Sequence, residues 1–405
     1  MDSLARCPHE AAIEKTLMSL PRNLEDTYQR MIQNIPADRK NDAIRLLQFL
    51  VHSERPLSLA EAKEVIATQI EDEPRGFDVK RRLFHETDVL LYCPGLVAVV
   101  HSTDKELHLA HFSVKEYLLG EDQFNIATAS ISIARTCLTY LTDIHGGCKE
   151  INRDFPMARY AAEVWADHAA LAQASEETVQ AAVRFLENEA TFQRWTQLHQ
   201  VDRPWDDDPD PANGSRLYYA CYVGLLAPAQ DLIDKGADVN AKGGHYNSAL
   251  SAASAAGHRE IVELLLDKGA DANAQGGIYG NALSAASARG HREIVELLLD
   301  KGADANVQHG GHYGNALSAA SAWGRREIVE LLLDKGVDVN IQGGHYGNAL
   351  SAASAGGHRE IAELLQKRGA VVSCSKRSGS RISSNSAKKL RLMGPEPSDQ
   401  RADGE

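Results

Sequence analysis

Histidines recur at two positions of a repeated segment, and histidine is a common zinc ligand. Three lie in glycine-containing text and three precede apolar segments: His245, His312 and His345, and His258, His291 and His358. Zinc bound by histidine requires Zn–N distances of about 2.0–2.1 Å. Equivalent atoms of stacked helical units are about 8–10 Å apart. The pattern therefore predicts structural histidines, and neither a metal nor another cofactor is expected.

These histidines belong to a repeat in the C-terminal half. The segment "GHYGNALSAASA" occurs at 311–322 and 344–355, with near copies at 244–255 and 277–288. Glycines of the "KGAD" type, from Gly236 to Gly369, are spaced by 33, 33, 34 and 33 residues, and the longer step contains the additional His309. Five units are predicted, at 215–243, 244–276, 277–310, 311–343 and 344–370.

Each unit predicts two short helices. Asn281 is a suitable N-cap for "ALSAASA", Gly290 ends that helix, and "HREIVELLLDK" has a broad apolar face before Gly302. Two helices and a Gly-rich loop with this period resemble the ankyrin repeat, with "NALSAA" in place of the family's T-P-L-H-x-A signature. The resemblance implies an α-solenoid that binds a protein partner with its concave face and loop edge.

Four tyrosines occupy one loop position in successive units: Tyr246, Tyr279, Tyr313 and Tyr346. Stacked loops would arrange their rings as a ladder along one edge of the array. The sequence leaves two roles open, because the rings could contact a partner or could pack the loops against one another. All four are candidate partner-binding residues.

One position varies while its surroundings stay nearly identical. At the end of the first helix the successive units carry Ala256, Arg289, Trp323 and Gly356. Tryptophan and arginine are enriched among residues that dominate binding energies. We predict that Arg289 and Trp323 are exposed on the concave side and contact the partner.

The first half predicts a different domain. Amphipathic helices are expected at 21–35 and 37–53, and Ser58 with Glu61 forms a capping box that opens a third helix. A helix at about 79–92, a β-hairpin within 95–112 and a second capping box at Ser113 follow. This order is winged-helix-like. The predicted domains are a winged-helix-like domain at 37–124, a helical domain at 125–200 and an acidic, Pro-rich linker at 201–214, so the whole fold is mainly α.

Several phrases of this half are specific: "LPRNLEDTYQRMI", "HLAHFSVKEYL", "CLTYLTDI", "YAAEVWADHAA" and "FQRWTQLH". They resemble the region after the nucleotide-binding core of fungal NACHT–ankyrin proteins, which are NLR-like members of the STAND class of signalling NTPases. The resemblance makes 1–36 a helical remnant leading from a NACHT-type core and implies an NTPase core as a partner in trans. It also places His111 where a winged-helix histidine of that class reaches the nucleotide phosphates.

The sequence lacks the phosphate-binding loop G-x-x-x-x-G-K-[ST]. No nucleophile–base pair or metal-ligand spacing indicates another reaction. We therefore predict a non-enzymatic scaffold or regulatory protein of a signalling system. A second interpretation is a STAND NTPase whose core is lost or is encoded upstream of Met1.

Composition limits the partners and the compartment. The net charge of −13 disfavours nucleic acid, and no apolar run approaches the ~20 residues of a membrane helix. Because no signal-like N-terminus is visible, the six cysteines are expected to be reduced in an intracellular, cytoplasmic protein.

The nucleus is the alternative compartment. Residues 371–405 form a basic, Ser-rich tail that is predicted to be disordered and has the spacing of a bipartite import signal. The corresponding alternative function is a nuclear regulatory protein whose winged helix contacts DNA. The candidate import residues are Lys376, Arg377, Lys388, Lys389 and Arg391.

Overall fold

The chain forms two compact units, Met1–Phe185 and Leu186–Glu405. The division falls inside the helix Glu176–Glu187, so helix Glu189–Leu198 belongs to the same unit as the repeats. The predicted helical domain at 125–200 extends past this division. The computed structural model describes residues 23–71, 73–100, 105–203, 213–308 and 311–371.

The first unit contains a winged-helix-type domain. Helices Leu24–Gln33, Lys40–His52 and Leu59–Ala67 precede an antiparallel hairpin of strands Val97–Val100 and Glu106–Leu109. A short strand, Leu57–Ser58, pairs with the free edge of the second hairpin strand, which is therefore central in a three-stranded sheet. A separate two-stranded sheet joins Thr68–Gln69 to Gly76–Phe77, and helix Phe112–Leu119 follows the hairpin.

The capping box predicted at Ser58 is confirmed. Ser58 Oγ accepts a hydrogen bond from the Glu61 N–H at 3.2 Å, and a Glu61 carboxylate oxygen accepts one from the Ser58 N–H at 2.8 Å. Two otherwise unpaired donors of the helix start are satisfied in this way. This fixes the start of the third helix directly after the short edge strand.

The helix predicted at about 79–92 is not continuous. Asp78 accepts from the Lys80 N–H at 2.8 Å, and Asp88 accepts from the His85 N–H at 3.3 Å. Local side chain–backbone bonds of this kind compete with a regular helix. The stretch instead forms two 3-10 segments, Val79–Arg81 and Glu86–Leu91.

The rest of the first unit is helical. Helices Ile126–Asp143 and Ala158–Leu171 pack against each other and contribute Cys137, Tyr140 and Trp165 to the core. The remaining elements are the 3-10 segment Asp122–Phe124, the helix Cys148–Asp154 and the start of Glu176–Glu187.

The second unit contains the five predicted repeats, each described as a pair of helices. The first helices of adjacent repeats pack against one another more extensively than the second helices do. The first-helix side is therefore the tighter side of the array, which favours curvature towards it. The pairs are Arg216–Tyr222 with Leu226–Asp234, Ala249–Ala256 with Arg259–Asp267, Ala282–Arg289 with Arg292–Asp300, Ala316–Ala322 with Arg326–Asp334, and Ala349–Gly356 with Arg359–Lys367.

The sequence explains the bounds of these helices. Asn281 caps its helix as predicted, with Oδ1 accepting from the Ser284 N–H at 2.8 Å. Gly290 ends the helix with a φ of 98°, a left-handed conformation that glycine adopts without a Cβ penalty. The second helix of this repeat buries its apolar face through Ile294, Val295 and Leu298.

Polar contacts between neighbouring repeats reinforce the apolar packing. Lys301 pairs with Asp267 at 2.7 Å, and the Asn273 side chain donates to the Gly302 carbonyl at 3.2 Å while accepting from the Asp304 N–H at 2.8 Å. Equivalent pairs recur along the array. Repetition of one set of contacts is expected when each repeat is stabilised mainly by its neighbours.

Two kinds of feature are absent from the described residues. No helix there has both the length and the apolar character to cross a membrane. Nor is any group of three or more His, Cys, Asp or Glu side chains there placed to share a metal ion.

Candidate partner-binding surface

Stacked tyrosines form a column through the array. The ring centroids of Tyr246 and Tyr279 are 6.0 Å apart with 7° between the ring planes, and those of Tyr279 and Tyr313 are 5.8 Å apart with 13°. Tyr346 continues the column 6.2 Å from Tyr313, and Tyr222 begins it 5.4 Å from Tyr246. The predicted ladder is present, and Tyr222 of the first repeat is a member that the sequence did not indicate.

Most of this tyrosine column is core. Tyr246, Tyr279 and Tyr313 are 1%, 2% and 3% exposed, whereas Tyr346 in the terminal repeat is partly exposed. The expectation that the first three contact a partner directly is wrong, because stacking buries their rings between neighbouring loops. Of the two roles that the sequence left open, these three tyrosines have the packing role.

Arg289 reaches from the end of its first helix to the tyrosine column. Its Nη2 donates a hydrogen bond of 3.2 Å to the Tyr246 hydroxyl. Burial disfavours the charged form of Arg289, but Tyr279 and Tyr246 favour it more strongly, so its pKa is raised. Burial also raises the pKa of Tyr279 to about 12. At neutral pH the site therefore combines a charged guanidinium with the neutral phenol of Tyr279.

Trp323 takes the corresponding position in the next repeat and is also held by a tyrosine. Its Nε1 donates a hydrogen bond of 2.7 Å to the Tyr313 hydroxyl. Trp323 and Arg289 are both partly buried, which corrects the prediction of exposed side chains. The polar end of each turns onto a tyrosine hydroxyl, and each residue as a whole stays partly accessible.

The histidines before the second helices are structural, as predicted. In three repeats Nε2 faces a backbone carbonyl at the end of the preceding first helix, so Nε2 is the protonated nitrogen. The contacts are His258 with Tyr222 O at 3.0 Å, His291 with Ala255 O at 3.2 Å and His358 with Ala322 O at 3.1 Å. In the fourth repeat Arg325 replaces the histidine, and its Nε donates to Ala288 O at 3.1 Å.

The loop histidines belong to a main-chain ladder. The His345 N–H donates to His312 O at 2.8 Å, the His312 N–H to Ile278 O at 3.1 Å, and the Ile278 N–H to His245 O at 3.4 Å. The His245 N–H at the head of this ladder donates instead to Asp202 Oδ2 at 2.9 Å. The buried Asp202 therefore ends the loop ladder.

Asp202 lies in the segment that the sequence predicts to be a linker. Its Oδ2 also accepts a hydrogen bond of 2.8 Å from the Tyr218 hydroxyl, and its residue is only 2% exposed. No local pattern distinguishes it from the other aspartates of "VDRPWDDDPD". Its partners Tyr218 and His245 lie 16 and 43 residues further along the chain. The sequence alone therefore does not predict these contacts.

His111 is the N-cap of helix Phe112–Leu119. Its Nδ1 accepts from the Ser113 N–H at 3.2 Å and lies 2.7 Å from Ser113 Oγ, which is 2.8 Å from the Tyr28 hydroxyl. The second capping box, predicted to start at Ser113, is therefore wrong, since the histidine side chain takes the capping role. The nucleotide role of His111 stays a prediction.

A pocket of about 250 Å³ lies beside His111. Arg55, His108, Phe112 and Lys115 contribute to its lining. Phe112 is 69% exposed. The pocket thus combines cationic side chains with an open aromatic ring.

The described cysteines are free thiols. Burial raises the pKa of Cys93 to about 12 and also raises the pKa values of Cys137 and Cys221. Cys148 is partly exposed and also free. Thiols with raised pKa values contain little of the nucleophilic thiolate at neutral pH.

The import candidates Lys376, Arg377, Lys388, Lys389 and Arg391 lie outside the described residues. Their role stays a prediction.

Comparisons with known proteins agree with the two kinds of domain. A family model described as ankyrin repeats (3 copies) matches residues 217–309 and 283–376. A model described as the winged helix domain of GPI inositol-deacylase matches residues 28–129. Ankyrin repeats imply binding of a protein partner.

One curated relative is the azaphilone pigments biosynthesis cluster protein L of Monascus ruber. It is 35% identical over 285 residues, an alignment that covers 62% of this chain and 60% of the relative. The chain thus spans less than two thirds of the length of the relative it matches.

Proposed function

We propose that this chain is a non-catalytic interaction protein whose ankyrin array binds a protein partner with its first-helix side. The observation that carries the proposal is the position shared by Ala256, Arg289, Trp323 and Gly356. Around it the repeats are nearly identical and closely stacked, whereas this position carries a different residue in each of the four repeats. A regular scaffold with one varied position is suited to recognition.

Cross-linking in extracts of the organism that encodes the chain tests this proposal. The full chain is compared with the double variant R289A/W323A and with the matched control R292A/R326A. The control removes arginines of the same two repeats that pair with Glu296 at 3.1 Å and Glu330 at 3.0 Å on the second helices. We expect a partner whose recovery falls at least about tenfold with the first variant only. Equal recovery with all three chains would contradict the proposal.

We further propose that the winged-helix-type domain docks on an NTPase domain in trans, as in NACHT–ankyrin proteins of the STAND class. The pocket beside His111 and the exposed Phe112 support a docking role. In this proposal the chain alone does not hydrolyse or bind nucleotide. Isothermal titration with ADP tests it, since ADP binding that is lost in His111→Ala would contradict it.

A nuclear, DNA-contacting function receives less support from the winged-helix-type domain. Its third helix, Leu59–Ala67, carries one basic residue, Lys63, beside the buried Glu61 and Glu64. Contacts to DNA phosphates require several accessible cations. We therefore propose an intracellular protein of the cytoplasm, which the free thiols support.

A further inference from the structure

Arg289 brings a positive charge to the tyrosine column without an acidic partner among the described residues. Its Nη2 donates to Tyr246, but its buried Nε has no hydrogen-bond partner there. The hydroxyl of Tyr279, which stacks on Tyr246, is also buried and without a hydrogen-bond partner in that part of the chain. The Nε of Arg289 and the hydroxyl of Tyr279 are therefore both buried without a hydrogen-bond partner among the described residues.

Other cations of the same repeats differ from Arg289. Lys301 pairs with Asp267 at 2.7 Å, and Arg292 pairs with Glu296 at 3.1 Å. The hydroxyl groups of Tyr246 and Tyr279 favour the charged form of Arg289, but they supply no negative charge. An incoming anion at Arg289 would supply this missing counter-charge.

We infer that Arg289 binds the carboxylate of an aspartate or glutamate in the protein partner. This inference rests on the proposed function and names the chemistry of its ligand. A carboxylate matches the planar donors of a guanidinium and can also accept a hydrogen bond from a phenol. The chain as a whole has a net charge of −13, so Arg289 provides a local site of opposite sign.

Trp323 defines the second part of the ligand. Its indole is oriented by the bond to Tyr313 and stays partly exposed one repeat along from Arg289. Equivalent positions in adjacent helical repeats are about 8–10 Å apart, and an extended peptide advances about 3.3 Å per residue. The ligand is therefore an extended segment in which an acidic residue lies about three positions from an apolar one.

The repeats supply a substitution that the fold tolerates. Ala256 occupies the position of Arg289 in another repeat, so Arg289→Ala should fold. Arg292→Ala is the matched control, because it removes an equal charge from an exposed ion pair three residues away. Circular dichroism and thermal unfolding of both variants verify the fold.

The test is selection of a phage-displayed library of random linear peptides on the full chain, followed by titration of the selected peptides. We expect enrichment of Asp or Glu about three positions from an apolar residue. Arg289→Ala should weaken these peptides at least about tenfold, with Arg292→Ala close to wild type. Affinity should also fall with added salt, because the contact is ionic.

The other possible outcomes distinguish failure of the carboxylate inference from failure of the proposed function. Selected peptides without acidic residues, or acidic peptides that Arg289→Ala binds equally well, overturn the inference and leave the proposed function standing. No enrichment on the wild-type chain overturns the inference of an extended acidic ligand, and the cross-linking comparison then decides the proposed function separately. A synthetic peptide of residues 394–405 is the remaining comparison. If it binds in an Arg289-dependent way and outcompetes the selected peptides, the inference of a separate partner is overturned. The acidic ligand is then assigned to this segment of the chain itself.

Discussion

The indole Nε1 of Trp323 donates a 2.7 Å hydrogen bond to the hydroxyl of Tyr313. The acceptor is a buried member of the tyrosine column, 3% exposed, and the donor belongs to the position that differs in each of four repeats. Through this bond Tyr313, whose loop position is a tyrosine in four repeats, orients Trp323, which occurs in only one of them. An ordered tryptophan loses less side-chain entropy when a partner binds.

Trp323→Phe should lower the free energy of unfolding by about 1 kcal/mol, because the Tyr313 hydroxyl loses its donor while an aromatic ring remains. Chemical denaturation of the two chains measures the difference. In a Tyr313→Phe background the same substitution should have almost no effect, since the acceptor is already absent. Equal effects in both backgrounds would show that the hydrogen bond does not stabilise the array.

Tyr279→Phe should leave stability unchanged or raise it slightly. The Tyr279 hydroxyl is buried and has no hydrogen-bond partner in the described residues, so its removal eliminates a desolvated polar group and preserves the stacked ring. Tyr279→Ala should instead cost about 3–5 kcal/mol, because it opens a cavity in the column. A Tyr279→Phe chain that unfolds as readily as Tyr279→Ala would contradict the packing role.

Asp202→Ala should destabilise the array by about 2–3 kcal/mol. It removes a charged acceptor from the His245 N–H and from the Tyr218 hydroxyl, both at less than 3 Å. Hydrogen exchange of the His245 amide, which heads the loop ladder, is the most local measurement. Asp238→Ala, at an exposed aspartate of the array, is the control. Unchanged protection of the His245 amide in Asp202→Ala would contradict the end-capping role.

These contacts also show how far the sequence predicts the structure. The repeat period and the Asn281 cap are local patterns, and they correctly predict the helix pairs. The stacking of the tyrosines follows from the period, but their burial does not, because a ring at a fixed loop position can face a partner or the neighbouring loop. Asp202 contacts His245, which lies 43 residues later in the sequence. No local pattern encodes such a contact.

Acid should destabilise the first unit through His168. The Nδ1 of this histidine lies 3.0 Å from Ser130 Oγ, and burial, with a smaller effect of His52, lowers its pKa from 6.5 to about 4. As the pH falls below 6.5 the unfolded chain takes up the proton first, so stability is full above pH 6.5 and declines towards pH 4. The loss should reach about 3 kcal/mol.

Urea unfolding of the full chain between pH 7 and pH 4, followed by tryptophan fluorescence, measures this dependence. His168→Gln should remove most of it, because glutamine does not titrate. A pH profile that is identical in the wild type and in His168→Gln would assign the acid sensitivity to other groups.

The most direct measurement is the affinity of the array for its protein partner, compared among the wild type, Trp323→Ala and the second-helix control Arg326→Ala. Isothermal titration should show that Trp323→Ala weakens binding at least about tenfold, more than any other single substitution in the repeats. Arg326→Ala should bind like the wild type. Equal affinity of Trp323→Ala and the wild type would contradict recognition through the position that Trp323 occupies.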